Sequence, residues 1–375
     1  MAPAVWPPAI VPADAGLRRY VLRVPSKPNT PPPPPGTPIA APITTTRRCT
    51  RLAPSPTGAL HLGNARTFLI TWAIARREHW RILFRVEDLD TPRVKDGAAE
   101  DIAAMLAWLG MDWDAPVVGP RSNPLVQSLD LEPYRAAMRS LARHGLAYPC
   151  ELSRTEIAAA ASAPQEGSHD VAFPAALRPS IAGQSLDFDA VQARSGGGTN
   201  WRLVVEPGHI PVSDRFAGLR SFDVSAIVGD FVLWTKRDQP SYQLAVVVDD
   251  HRQGVTDVIR GDDLLDSAAR QTLLYRGLGL GEPPDYRHLP LVKGEDGMRL
   301  AKRHGDTRLD RYRAAGVGAE RVVGLVAHWS IPGAGRSPMT ALEFMRRLDP
   351  TTIPRSPATF TAEDDRWLLA PARTH

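Results

Sequence analysis

The strongest constraint on the fold is a regular alternation of short apolar runs and amphipathic stretches that sets in at Arg47. Ile82-Leu-Phe-Arg-Val86 has the length and apolarity of a strand buried on both faces. After it, Thr91-Pro92 reads as a helix opening, Ile102, Met105, Leu106 and Leu109 recur at helical spacing, and Gly110 supplies the stop. Pro133 to His144, closed by Gly145, predicts a further helix. This rhythm predicts an α/β fold with a parallel sheet, because parallel neighbours need a crossover and a helix is the common one.

Residues 150–200 break the rhythm with an Ala-rich run, several prolines and Gly196-Gly-Gly198, and read as an insertion. Beyond it, Trp201–Val205, Phe231–Trp234, Leu244–Val248, Val255–Ile259 and Tyr286–Val292 are expected as strands, and Leu264–Leu278 as a helix. Leu244-Ala-Val-Val-Val248 is the most strand-like of these, with Asp249-Asp250-His251 past its carboxyl end. The remainder is expected to be helical, with Val322, Leu325, Val326 and Trp329 facing inward. Five consecutive prolines, Pro31 to Pro35, place residues 1–46 outside any packed core and predict a disordered tail. The expected organisation is thus a tail (1–46), a first half-domain (47–149), an insertion (150–210), a second half-domain (211–306) and a short C-terminal region (307–375).

With 375 residues and 43% apolar content, the chain can build a sizeable core. Lys+Arg 45 against Asp+Glu 41 gives +4, which fits a nucleic-acid partner without requiring one. Two cysteines, Cys49 and Cys150, make no disulfide framework. No run approaches a membrane span and no secretory signal is evident; with so few cysteines a reducing cytoplasm is expected, and the chain is expected to be a monomer.

In an open parallel sheet, ligands sit beyond the carboxyl ends of the strands. Four polar clusters are predicted there: Arg51–Ser55, Glu87–Asp90, Asp249–His251 and Arg260–Asp263. The first leads through Pro and Gly into a helix start near His61, where free backbone N–H groups and the dipole would suit a phosphate. Gly58 and Gly63 would let backbone approach a ligand closely. The same loop alone is equally compatible with an ordinary surface turn. Four clusters together favour a nucleotide-using enzyme.

Arg51-Leu-Ala-Pro-Ser-Pro-Thr-Gly-x-x-His61-x-Gly63-Asn64 resembles the first signature of class I glutamyl-tRNA synthetases. Arg85-Val-Glu-Asp-Leu-Asp90 is similar to their second block, and Arg299-Leu-Ala-Lys302-Arg303 to their flexible second signature. Tyr242 to His251, then Gln253-Gly-Val-Thr and Arg260-Gly, resembles most closely the shorter glutamyl-queuosine tRNA(Asp) synthetase family. Only 72 residues follow Arg303, fewer than the anticodon-binding domains of the full-length family require.

The resemblance implies a Rossmann-like sheet with an inserted subdomain and a short helical C-terminal region. It implies ATP, with Mg2+, activating L-glutamate as an adenylate, followed by transfer to the queuosine of tRNA(Asp). It assigns glutamate to Arg51, Leu52, Ala53, Pro54, Ser55, Glu87, Tyr242 and Arg260. It assigns ATP to His61, Gly63, Asn64 and Lys302, with His61, Asn64 and Lys302 catalytic. The chemistry agrees, since joining a carboxylate to a phosphate demands fixed donors and positive charge. Taken singly, Glu87 could be a helix-start carboxylate and Arg260 the partner of Asp262 or Asp263; Asp249, Asp250 and His251 could be purely structural.

The sequence departs from the family at Asn64, Arg299 and Ala301, where His, Lys and Ser are usual. The zinc ligands of many relatives are also incomplete: Cys150 matches the first, but Leu152 stands at the second, so a zinc-free insertion is expected. Cys150 with His169 and carboxylates is the one imaginable alternative set there. The competing readings are a truncated enzyme charging the 3′ end of tRNA(Glu), a catalytically inactive RNA-binding relative, and a generic nucleotidyltransferase. Arg308, Arg311, Arg313 and Arg321 are candidates for RNA phosphates or for a solvated face.

Overall fold

In a computed structural model of the protein the described residues are 47–56, 58–90, 94, 97–114, 125–160, 172–196, 198–300 and 306–371. The proline-rich stretch 1–46, Thr91-Pro92, His169 and the signature residues Ala301, Lys302 and Arg303 lie outside them.

The first half runs β1 (Cys49–Leu52), α1 (Leu62–Arg77), β2 (Arg81–Val86), α2 (Ala98–Trp108), β3 (Leu125–Val126) and α3 (Glu132–Arg143). β1 pairs in parallel with β2, Cys49 beside Arg81 through Leu52 beside Phe84, and β3 joins β2 in parallel. Helix α2 starts at Ala98, behind Gly97 at φ 78.

Then come β4 (Ala147–Cys150), α4 (Arg154–Ala160), α5 (Phe188–Arg194), β5 (Asn200–Leu203), a hairpin of β6 (His209–Asp214) and β7 (Gly218–Asp223), α6 (Val224–Ile227), β8 (Val232–Thr235) and β9 (Gln239–Pro240). β4, β5, β8 and β9 form a separate antiparallel sheet with Trp201 and Trp234 fully buried. The β6–β7 hairpin, which no apolar run in the sequence announces, belongs instead to the main sheet.

The chain continues with α7 (Tyr242–Arg252), β10 (Asp257–Gly261), α8 (Leu265–Leu278), β11 (Asp285–Leu289) and β12 (Val292–Lys293). Here the sequence expectation is overturned: Leu244–Val248 is not a strand but the middle of α7. Ser241 Oγ caps the helix by accepting from Leu244 N. Every residue from Gln243 to Asp250 is buried, so the helix has no polar face to show as a 3.6-residue period. The expected strand Tyr286–Val292 is also divided, with Pro290 between β11 and β12.

β10, β11 and β6 run parallel, and β7 closes the edge antiparallel to β6. β10 lies beside β1, with Thr256 N donating to Cys49 O at 2.8 Å. The strand direction of travel therefore reverses between β1 and β10, which is where an α/β sheet opens a crevice.

Two apolar cores flank the sheet. Leu52, Ile82, Phe84, Val86, Ile259 and Leu289 point to one, with α1, α2 and the C-terminal helices. Cys49, Leu83, Val258 and Tyr286 point to the other, with α3, α7 and α8. The C-terminal segments are α9 (Leu309–Ala314), α10 (Ala319–Ser330), α11 (Ala341–Arg347), β13 (Ala358–Thr359) and α12 (Ala362–Leu369). The expected inner face holds: Val322, Leu325, Val326 and Trp329 are all buried. They share a core with Leu69 and Ala73 of α1, and each fully buried Val or Leu contributes about 1.5–3 kcal/mol. β13 pairs in parallel with β12, Val292 beside Ala358 and Lys293 beside Thr359.

Candidate active site

Strand alternation places three arginines on one side of the sheet. If Cys49, Leu83 and Val258 face the α7–α8 core, then Arg51, Arg85 and Arg260, two positions on, face it too. All three are buried: Arg51 5% exposed, Arg85 0% and Arg260 5%. They stand near the carboxyl ends of β1, β2 and β10.

Arg85 is matched by carboxylates, although its Nε, 3.9 Å from Asp249 Oδ2, makes no hydrogen bond among the described residues. Its Nη1 donates to Asp250 Oδ1 at 2.7 Å and to Gln253 Oε1 at 3.0 Å, and its Nη2 to Glu87 Oε1 at 3.1 Å. Asp249 accepts from Gln127, Tyr134 and Arg252. Asp249 and Asp250 thus serve as buried counter-charges on α7, which favours the structural reading for them. Arg51 Nε lies 3.4 Å from Asp250 Oδ1 and makes no hydrogen bond among the described residues. Glu87 N donates to Pro54 O at 3.1 Å, which fixes the Arg51–Ser55 loop against the end of β2. Burial pushes the Glu87 carboxyl up, against the pull of Arg85 and Arg51.

Arg260 is held differently. It makes no ion pair with Asp262 or Asp263 among the described residues; Asp263 instead pairs with Arg299 at 2.8 Å. Its Nε donates to His288 Nε2 at 2.9 Å and its Nη2 to Gln271 Oε1 at 2.9 Å, while the guanidinium lies over the Tyr286 ring at 5.1 Å. Nη1 is buried and has no partner among the described residues. Tyr242, 37% exposed, opens α7. Burial raises its hydroxyl pKa, against the pull of Arg260 and Arg51.

Of the loop, Leu52 and Pro54 are buried, Ala53 is half-buried and Ser55 is exposed. At its far end His61 caps α1. Its Nδ1 accepts from Gly63 N at 3.1 Å and Asn64 N at 3.3 Å, and Asn64 Oδ1 accepts from His61 N at 3.1 Å. Leu62 N donates to Thr307 O. The expectation of free backbone N–H groups is therefore corrected: the protein satisfies the first turn itself. The donor left for a ligand is His61 Nε2–H, because an accepting Nδ1 fixes the neutral tautomer. Burial, then Arg299, lowers the His61 pKa to about 4. A Cβ on Gly63 would stand 3.0 Å from both Cε1 and Nδ1 of that ring.

Lys302 lies outside the described residues, but the loop leading to it is anchored. Gly294 N donates to Met298 O at 2.9 Å, and Lys293 bridges to Arg299. The C-terminal arginines have partners within the chain: Arg308 with Asp306, Arg311 with Asp365, Arg313 over the Trp108 ring, and Arg321 with Ala370 O and over the Trp367 ring. In the insertion, Cys150 is buried, and Tyr148 donates to Asp230 at 2.6 Å, where Arg178 also binds. No three His, Cys, Asp or Glu side chains converge for a metal among the described residues.

Sequence reasoning missed His288, Asp214 and Gln271. His288 Nδ1 and Asp214 Oδ2 are 2.6 Å apart, joining β11 to β6. No motif marks them; the buried alternation of Ile210, Val212 and Asp214 on β6 is the one local sign.

Residues 48–367 match the family model for tRNA synthetases class I (E and Q), catalytic domain. The chain is 44% identical over 319 residues to a glutamyl-Q tRNA(Asp) synthetase of Symbiobacterium thermophilum, covering 84% of this chain and 96% of that one. It is 42% identical to one of Rhodopirellula baltica, covering 77% of this chain and 85% of that one. A crystal structure of a glutamate tRNA ligase from Elizabethkingia meningosepticum with its amino acid superposes with a TM-score of 0.70 at 27% identity, over 86% of this chain and 68% of that one. Among the described residues no helix is long and apolar enough to cross a membrane.

Proposed function

Because the chain belongs to the class I tRNA synthetase family of glutamate and glutamine, we infer that it is an ATP-dependent ligase that activates L-glutamate and transfers it to the queuosine base of tRNA(Asp). The coverage of glutamyl-Q tRNA(Asp) synthetases, 96% and 85%, supports transfer to the modified base over charging of a 3′ end.

The observation that carries the substrate is the pair of buried guanidinium groups near the carboxyl ends of the neighbouring strands β1 and β10, whose Arg51 Nε and Arg260 Nη1 have no hydrogen-bond partner among the described residues, with the Glu87 carboxylate under the pull of Arg51. Two buried cations suit a dicarboxylate, and one carboxylate suits its ammonium. In this reading Arg51 and Arg260 hold the carboxylates of glutamate. Glu87 takes the ammonium, Tyr242 walls the pocket, and Leu52 to Ser55 shape the loop beside it. His61 Nε2–H and the α1 dipole meet the phosphates of ATP, and Gly63 keeps the ring of His61 in place. Asn64 locks the cap. Lys302 adds charge from the signature loop as the α-phosphate is attacked by the glutamate carboxylate and pyrophosphate leaves. Mg2+ accompanies ATP as the counter-ion of its phosphates. The insertion is read as zinc-free, because Leu152 stands where a second ligand to join Cys150 would be needed. The enzyme is read as a cytoplasmic monomer.

The test is twofold. Glutamate-dependent ATP–pyrophosphate exchange should be present and should fall at least a hundredfold in Lys302→Ala. Charging of tRNA(Asp) should require queuosine; equal charging of queuosine-free tRNA with an intact 3′ end would overturn the assignment.

A further inference from the structure

Arg85 and Arg260 are both buried on the same face of the sheet, yet their partners differ in kind. Arg85 is matched by carboxylates, Asp250 and Glu87. Among the described residues Arg260 touches only neutral acceptors: His288 Nε2, Gln271 Oε1, the Leu264 carbonyl at 3.4 Å and the Tyr286 ring. Gln271 is itself oriented, since its Nε2 donates to Gln243 Oε1, and Gln243 Nε2 to Ser267 Oγ, each at 3.1 Å.

His288 can accept from Arg260 only with Nε2 unprotonated. The ring proton is then on Nδ1 and is donated to Asp214 Oδ2 at 2.6 Å. Asp214 is held rigidly. It accepts from Phe216 N at 2.8 Å, Ala217 N at 2.5 Å and His288 N at 3.1 Å. A fixed carboxylate thus selects a tautomer, and the tautomer presents a lone pair to Arg260 Nε.

We propose that Asp214 and His288 are positioning residues that aim the Arg260 guanidinium into the amino-acid pocket while leaving its charge unneutralised. A carboxylate in the place of His288 would orient Arg260 equally well but would compete with the substrate for its charge. The neutral imidazole orients without competing, and the acidic end of the relay sits one side chain further away. The proposal rests on the reading that Arg260 meets a carboxylate of glutamate.

The test is the KM for glutamate, the KM for ATP and kcat in ATP–pyrophosphate exchange. His288→Leu is expected to raise the glutamate KM roughly ten- to a hundredfold, with the ATP KM within about twofold. His288→Gln, which keeps an acceptor near the Nε2 position, should recover most of the loss. Asp214→Asn changes little volume but can donate to Nδ1, turning Nε2 into a donor that faces Arg260 Nε. It should raise the glutamate KM even if His288→Leu does not fold. Adding His288→Leu to Arg260→Ala should cost nothing further. A parallel rise in both KM values, no recovery in His288→Gln, or additive losses in the double variant would overturn the relay. If Arg260→Ala raises the glutamate KM but the His288 and Asp214 variants leave it unchanged, the relay alone fails. If Arg260→Ala itself leaves it unchanged, the assignment of Arg260 fails, and the relay with it.

Discussion

Nη1 of Arg85 and Oδ1 of Asp250 lie 2.7 Å apart, and this bond ties the end of β2 to α7 across 165 positions of sequence. Both side chains are removed from water, 0% and 4% exposed. Deleting Asp250 leaves the fully buried Arg85 with Glu87 as its one remaining hydrogen-bonded carboxylate, and breaking a buried ion pair typically costs about 3–5 kcal/mol. Asp250→Ala is expected to lower unfolding stability by about that amount in urea titration, with little change in the denaturant slope. A loss under about 1 kcal/mol would show that Gln253 and Glu87 suffice to hold Arg85.

Glu87 carries the charge assigned to the substrate ammonium, and burial raises its pKa above the ordinary carboxylate value. The ionised form is the one that binds, so the glutamate KM should rise as the pH is lowered toward the raised pKa. Glu87→Gln should raise the glutamate KM about ten- to a hundredfold at neutral pH and remove that part of the pH dependence. An unchanged KM would place the ammonium elsewhere.

His61 titrates in the opposite sense. Its pKa is lowered to about 4 in the folded protein against the ordinary 6.5 of an imidazole, so the unfolded chain binds the proton more readily. Its contribution to stability is full above pH 6.5 and is lost as the pH falls from 6.5 toward 4. Thermal midpoints measured between pH 7 and 5 should decline less in His61→Asn, which keeps a cap acceptor and removes the titrating ring. The same variant should raise the ATP KM, because it lacks the Nε2–H donor.

Gly63→Ala separates helix propensity from ligand geometry. Alanine in a helix gains up to about 1 kcal/mol over glycine, but its Cβ would press on the His61 ring at 3.0 Å. Stability is expected to change by less than about 1 kcal/mol, with the ATP KM raised and the glutamate KM unchanged. A rise in both KM values would mean the displacement travels along the loop to Arg51.

Much of this corner is legible in the sequence because it is local. The cap at His61, the turn before it and the apolar stripe of α1 lie within one stretch, and the run at Ile82–Val86 is a strand as its composition says. Helix α7 misleads for a physical reason: a helix buried all round displays no polar face, and Val246, Val247 and Val248 are strand formers. Its two aspartates look like residues at a strand end because their arginine partners are distant in sequence. The Asp214–His288 pair is less legible still, since 74 positions separate two residues joined only by the pairing of β6 with β11.

The short pairing of β12 with β13 gives the site an order of assembly. The strand that leads into the signature loop acquires its partner only after residue 358 has been made. The arginine corner, by contrast, is complete in sequence by His288. During synthesis, where N-terminal parts fold first, the residues of the amino-acid pocket are therefore all present on a nascent chain whose strand β12 still lacks its partner.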